Sequence, residues 1–149
     1  MKTQKNVKMY TLIALLATLL SCNGFAQETP TITKTFELNE PGTLNAKSSG
    51  GGVEVKSHDQ PKVVIQAFVR KKGNVLSPSD PSVAEILKDY ELDFEKNGSV
   101  ITANVERKVK YGSWNNVGIS LIIIVPREMS CNVSSSGGGL KISDVSGTH

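Results

Sequence analysis

Residues 134–149 read SSSGGGLKISDVSGTH, and residues 48–57 read SSGGGVEVKS. Each stretch sets serines and three glycines ahead of an aliphatic residue, a charge and a second aliphatic. Val53-Glu54-Val55 and Leu140-Lys141-Ile142 both have the two-residue period of a strand, which turns the aliphatics inward and the charge to solvent. The glycines permit backbone conformations closed to residues with a Cβ, as a sharp corner between two strands requires. Serines ahead of such a corner can hydrogen-bond its free amides. In ISDVSG a second corner follows, with Asp144 and Ser146 as turn formers, Val145 filling the interior and Gly147 ending the bend. A strand, a corner, a strand and a corner make one coil of a β-solenoid. Neither stretch has the G-x-x-x-x-G-K-[ST] spacing of a phosphate-binding loop, and strands rather than a helix follow the glycines.

Working outward, alternation of the same period dominates the chain from residue 27 on. TITKTFEL puts Ile32, Phe36 and Leu38 on one face, with Lys34 as an exception that marks an edge. After NEPG at 39–42, Leu44 and Ala46 lead into the first glycine corner. KVVIQAFVRKK alternates Val63, Ile65, Ala67 and Val69 with Val64, Gln66 and Phe68, so both faces are largely apolar and the strand is expected to be covered on both sides. VGISLIIIVP is the most apolar strand of the chain. It is far shorter than a membrane-spanning helix and ends at Pro126, which reads as a buried central strand. ELDFEKNGSVITANVERK is a hairpin with its turn at Asn97-Gly98. One helix is expected: Asp80 is a suitable N-cap, Pro81 suits the first helical position, and Val83, Ile86, Leu87 and Tyr90 fall on one face. A helix this short must dock on the sheet to persist. The fold class is therefore all-β, a β-solenoid-like stack of strands with an N-terminal strand and hairpin layer and one short helix.

The first 26 residues are not part of that fold. Lys2, Lys5 and Lys8 precede an apolar stretch from Met9 to Leu20, and small residues follow, which is the order of a secretory signal. The apolar stretch is well short of the roughly 20 residues a spanning helix needs. Two processing sites compete. Gly24-Phe25-Ala26 offers cleavage after Ala26, and Leu19-Leu20-Ser21-Cys22 resembles a bacterial lipobox in which Cys22 is acylated, although Leu20 is larger than the residue usual there. The expected organisation is a signal peptide over 1–26 and one domain over 27–149.

The whole chain has 17 basic and 14 acidic residues, a formal charge of +3. Cleavage after Ala26 removes three lysines and no acid, which leaves the two signs equal. No field of one sign then remains to draw nucleic acid or anionic lipid. RKK at 70–72 and ERKVK at 106–110 are basic and EILKDYELDFE at 85–95 is acidic, clusters that solvate and pair across a surface. Beyond Cys22 there is one cysteine, Cys131. In MSCNV it shares a side with Met129 and Val133, so it reads as a small core residue, and no disulfide framework exists.

The signal segment, SSGGGVEV followed by PKVVIQAFV, the junction IIIVPREMSCNV and the unit SSSGGGLKISDVSG together resemble a family of adhesin-type bacterial proteins. These are secreted or lipid-anchored and carry a β-strand-repeat domain of unknown function. The resemblance covers nearly all of 27–149, and its motifs are structural. It implies an N-terminal set of strands followed by a run of coils with S-G-G and D-V-S-G corners. Because this chain stops after about one such coil, the comparison implies further coils beyond residue 149, and an aggregation-prone edge in their absence.

A search for chemistry returns little. His58-Asp59 lies in a turn, with no strand-to-helix nucleophile elbow nearby. His149 is the last residue. The two His and two Cys have no metal-ligand spacing. Asp89, Glu91, Asp93 and Glu95 lie at period two on the outer face of a strand, without a cleft to converge on. Tyr111 and Trp114 sit on one loop and are the candidate ligand-stacking residues; Trp114 equally suits a cover over the sheet end. The reading is a non-catalytic extracytoplasmic surface protein of adhesin type, secreted or bound at a bacterial envelope. It has no cofactor, no metal and no nucleic acid, and touches the membrane only through an anchor at Cys22. Its expected partner is a cell-surface glycan or an envelope protein. The alternatives are a polysaccharide-acting or carbohydrate-binding β-helix protein whose site lies in further coils, and a scaffold that senses envelope stress through partner proteins.

Overall fold

The computed structural model describes residues 27–108 and 116–146. Ten strands and one helix follow in order. They are β1 (Ile32–Glu37), β2 (Thr43–Ser48), β3 (Val53–His58), β4 (Lys62–Lys71), β5 (Asn74–Val75), α1 (Pro81–Lys88), β6 (Tyr90–Asn97), β7 (Val100–Arg107), β8 (Val117–Pro126), β9 (Ser130–Ser135) and β10 (Leu140–Ser143). The architecture is all-β with one short helix.

The strands form two open sheets. The larger has the order β1-β4-β8-β3-β10, with β5 pairing β4, and the smaller has the order β6-β7-β2-β9. The central strands are parallel. In the smaller sheet β2 lies between β7 and β9, and in the larger β3 lies between β8 and β10, every one of these pairs parallel. The strands β7 and β8, then β2 and β3, then β9 and β10 therefore lie in the same order across the two sheets. The same displacement along the sequence carries Thr43 onto Ser130 and Val53 onto Leu140. The two similar glycine segments are thus neighbours in register.

Inward-facing aliphatics from both sheets share one core. Leu44, Ile101, Val53, Val55, Ile119, Leu121 and Ile123 are at most 1% exposed. At roughly 1.5–3 kcal/mol for each Val, Leu or Ile side chain taken fully out of water, these residues supply the main term holding the sheets together. One face of β4 is fully buried at Val63, Ile65 and Val69; on the other, Phe68 is 3% exposed but Val64 and Gln66 are only half-buried, so that face is covered in part and not throughout as the composition implied. β8 is the central strand between β4 and β3, buried along Ile119, Leu121, Ile123 and Val125 and half-buried at Ile122 and Ile124 on its other face. Lys34 sits on β1, whose only strand partner among the described residues is β4.

At the β1 side the pairing turns antiparallel: β4 against β8, β1 against β4 and β6 against β7. The helix lies against β6 and adds Val83 to the core, while Ile86 and Leu87 pack on its margin. Asp80 caps the helix, its Oδ1 accepting from Ser82 N at 2.8 Å. Tyr90 does not extend the helical face as the spacing suggested. It opens β6, because Asp89 already caps the helix with its N–H on Ile86 O.

The hairpin turn also differs by one residue. Asn97 pairs with Val100, so the two-residue loop is Gly98-Ser99, with Gly98 at φ 61°. Glycine at the first central position is the chemistry of a II′ turn, which removes the need for Asn97 to adopt a positive φ.

Leu140 and Ile142 do not join the buried set. They keep register with Val53 and Val55, yet are 51% and 36% exposed. The reason is position: β10 is the last strand of its sheet among the described residues, so no further unit covers its aliphatics.

Candidate functional site

The glycine corners of neighbouring units press on one another. A Cβ at Gly51 would fall on the Ile119 carbonyl, one at Gly118 on the Gly50 carbonyl, and one at Gly138 on the Gly52 amide. Backbone therefore packs directly on backbone where the units turn. The serines stitch the same place. Ser135 Oγ donates to Gly51 O at 2.9 Å and accepts from Gly138 N at 3.0 Å. Ser48 Oγ donates to Ile119 O at 3.2 Å, and Ser49 Oγ accepts from Arg107 N at 2.6 Å. Ser135 serves both its own glycine segment and the neighbouring one, whereas Ser48 and Ser49 bond neighbouring strands.

A cleft of about 360 Å³ opens at these stacked corners, lined by Gly50, Gly51, Gly118, Asn116, Arg70 and Arg107 among others. The ends of β4 and β7 deliver the two arginines to it. Arg70 is well tied down: Nε donates to Ser120 Oγ at 2.8 Å, Nη1 to Gly73 O at 3.2 Å and Nη2 to Glu28 at 3.1 Å. Arg107 is not. Its guanidinium carbon stands 5.9 Å from the centre of the Tyr90 ring, and its Nε is buried with no hydrogen-bond partner among the described residues. Tyr90 is itself 4% exposed and donates to Val117 O at 3.2 Å; burial pushes its phenol up. Lys72 N donates to Asn116 O at 2.7 Å, and both residues hold left-handed backbone, at φ 52° and 46°.

No protein-family model matches the chain, and comparison with curated proteins and with solved structures gives no match.

The candidate side chains singled out in the sequence, where they are described, do not line this cleft. Cys22, Ala26, Tyr111, Trp114 and His149 lie outside the described residues. His58 closes a turn, Nε2 at 2.7 Å from Lys62 O. Asp59 pairs with Arg127 at 2.5 Å, which holds its carboxyl below the usual range. Cys131 is 1% exposed, and burial pushes its thiol up, away from the nucleophilic thiolate. Glu91, Asp93 and Glu95 are exposed along β6 and do not converge. Among the described residues no three His, Cys, Asp or Glu side chains stand close enough to hold a metal ion, and no helix is long and apolar enough to cross a membrane. On the outer face of the smaller sheet, Asn132 Nδ2 donates to Asn45 Oδ1 at 3.0 Å, a rung of amides across two units.

Arg70 and Arg107 are what reading the sequence missed. Each sat in a basic run that looked like solvated surface. Nothing local signals their meeting; it follows only once β4 pairs with β8 and β7 with β2.

Proposed function

We propose that this chain is a non-catalytic extracytoplasmic surface domain of adhesin type, built as a short β-solenoid. The observation that carries the solenoid reading is the shared register of β2–β3 and β9–β10, corner on corner, with β7–β8 alongside. Each unit contacts its neighbours through aliphatics inside and backbone at the corner, as in repeat architectures where one unit cannot bury its own face. The resemblance in the glycine segments points to proteins displayed outside the cell, and the basic-apolar-small order of residues 1–26 supports export. The binding role is favoured by what the surface offers: exposed polar strand positions and a corner cleft, with candidate acids dispersed and Cys131 buried.

Two measurements test this reading. Mass spectrometry of the protein recovered from a bacterial envelope should find an N-terminus at Gln27, or an acylated Cys22; an intact Met1 on cytoplasmic protein would contradict export. Incubation of the folded protein with cell-surface glycans and envelope extracts should give saturable retention, and retention that survives heat denaturation of the protein would contradict a folded binding surface.

A further inference from the structure

The cleft at the stacked corners holds a cation without an anion. Arginine stays protonated under all physiological conditions and offers five donors. A buried N–H without an acceptor is destabilising, and more so when the group is charged. The Arg107 guanidinium has no ion pair or hydrogen bond among the described residues, and its Nε is enclosed by protein. The Tyr90 ring face offsets part of the cost at 5.9 Å, as an aromatic face does for a cation. None of the described residues lining the cleft is acidic. Arg70 adds a second guanidinium; its three nitrogens already donate to Ser120, Gly73 and Glu28, which leaves it one further hydrogen on each Nη to offer. The glycine walls bring backbone rather than side chains to the ligand space, and the volume falls within the range of small-molecule sites.

We infer that this cleft binds an oxyanion, with Arg107 as its main counter-charge and Arg70 as a flanking donor. The planar guanidinium fork fits a carboxylate or a phosphate equally well. A carboxylate would come from an acidic sugar and a phosphate from a free or sugar-linked phosphoryl group; both share the paired oxygens the fork recognises. The inference gives the proposed binding domain a ligand class, but it stands on the cleft alone, so failure of export or surface retention leaves it intact.

Titration of the full chain with galacturonate, with inorganic phosphate and with neutral galactose, followed by calorimetry at low salt and by amide shifts, tests it. At least one of the two anions should bind saturably and move the amides of Gly50, Gly51 and Gly118; galactose should not bind there, and added salt should weaken the complex. Which anion binds names the source. Arg107→Met should weaken that binding about tenfold or more, as loss of a desolvated charge partner does. Its melting temperature should hold or rise, because a half-buried cation whose enclosed Nε lacks an acceptor has been replaced by an apolar chain. Arg107→Lys keeps the charge and loses the fork, so it too should bind more weakly. Should Arg107→Met not fold, the amide shifts of the unaltered chain and the Arg107→Lys affinity decide. The inference is overturned if neither anion binds saturably, if the shifts fall away from the corner glycines, or if neither Arg107 variant weakens binding.

Discussion

At the scale of single residues, the glycines divide into those that are crowded and those that are free. Gly51 and Gly138 stand where a Cβ would overlap backbone of the neighbouring unit, which cannot rotate away as a side chain can. Gly139 has nothing within 4 Å. Gly51→Ala and Gly138→Ala should each cost roughly 2–4 kcal/mol by urea unfolding, in the range of forced overpacking and strain. Gly139→Ala should stay within about 0.5 kcal/mol. Equal effects at Gly51 and Gly139 would mean the corners do not touch. Asp80 offers a second residue-level check. Its hydrogen bonds from Ser82 hold its carboxyl below the usual range, and they satisfy a free helix amide. Asp80→Ala should lower the melting temperature measurably, and Asp80→Ser much less.

At the scale of elements, β10 is held to β3 by backbone and by one charged cluster. Glu54 on β3 pairs with Lys141 on β10 at 3.2 Å and with Lys56 at 3.4 Å. Burial pushes the Glu54 carboxyl up, but the Lys141 hydrogen bond and the two lysine charges outweigh it and hold it below the ordinary Glu value. A carboxyl depressed on folding stabilises the fold above its unfolded pKa, and that contribution is lost as pH falls through the lower, folded value. Amide exchange at 140–143, corrected for its intrinsic pH dependence, should lose protection selectively across that acidic window. The amount is a few tenths to about 1 kcal/mol, as for part-exposed pairs. Loss of protection on raising pH through neutrality would contradict the assignment. The strands and the helix were legible in the sequence because their signals are local: alternation in β4 and β8, and the Asp80-Pro81 start of α1. The errors lie at boundaries, where a cap overrode periodicity at Tyr90 and strand register moved the hairpin turn to Gly98-Ser99. The cleft was not legible, since Arg70 and Arg107 meet only through pairings between strands distant in sequence.

At the scale of the whole molecule, the stack has two unlike sides. Antiparallel strands and α1 flank one; on the other, β9 and β10 are the last described strands, with Leu140 and Ile142 substantially exposed. Unpaired strand edges with aliphatic side chains promote association. The double variant Leu140→Lys, Ile142→Lys should sediment as a smaller species at concentrations where the parent self-associates. Its stability should change by no more than about 0.5 kcal/mol per site, the range for exposed positions. A variant that associates as the parent does would remove that edge as the cause. The central claim is the parallel register of the units, since a slip of one residue would turn every inward aliphatic to the other face. Interstrand nuclear Overhauser contacts measured on the isotope-labelled protein test it most directly. The account predicts cross-peaks that place Leu44 beside Cys131 and Val55 beside Ile142, with both strand pairs parallel; a register shifted by one residue, or antiparallel contacts between β2 and β9, would contradict it.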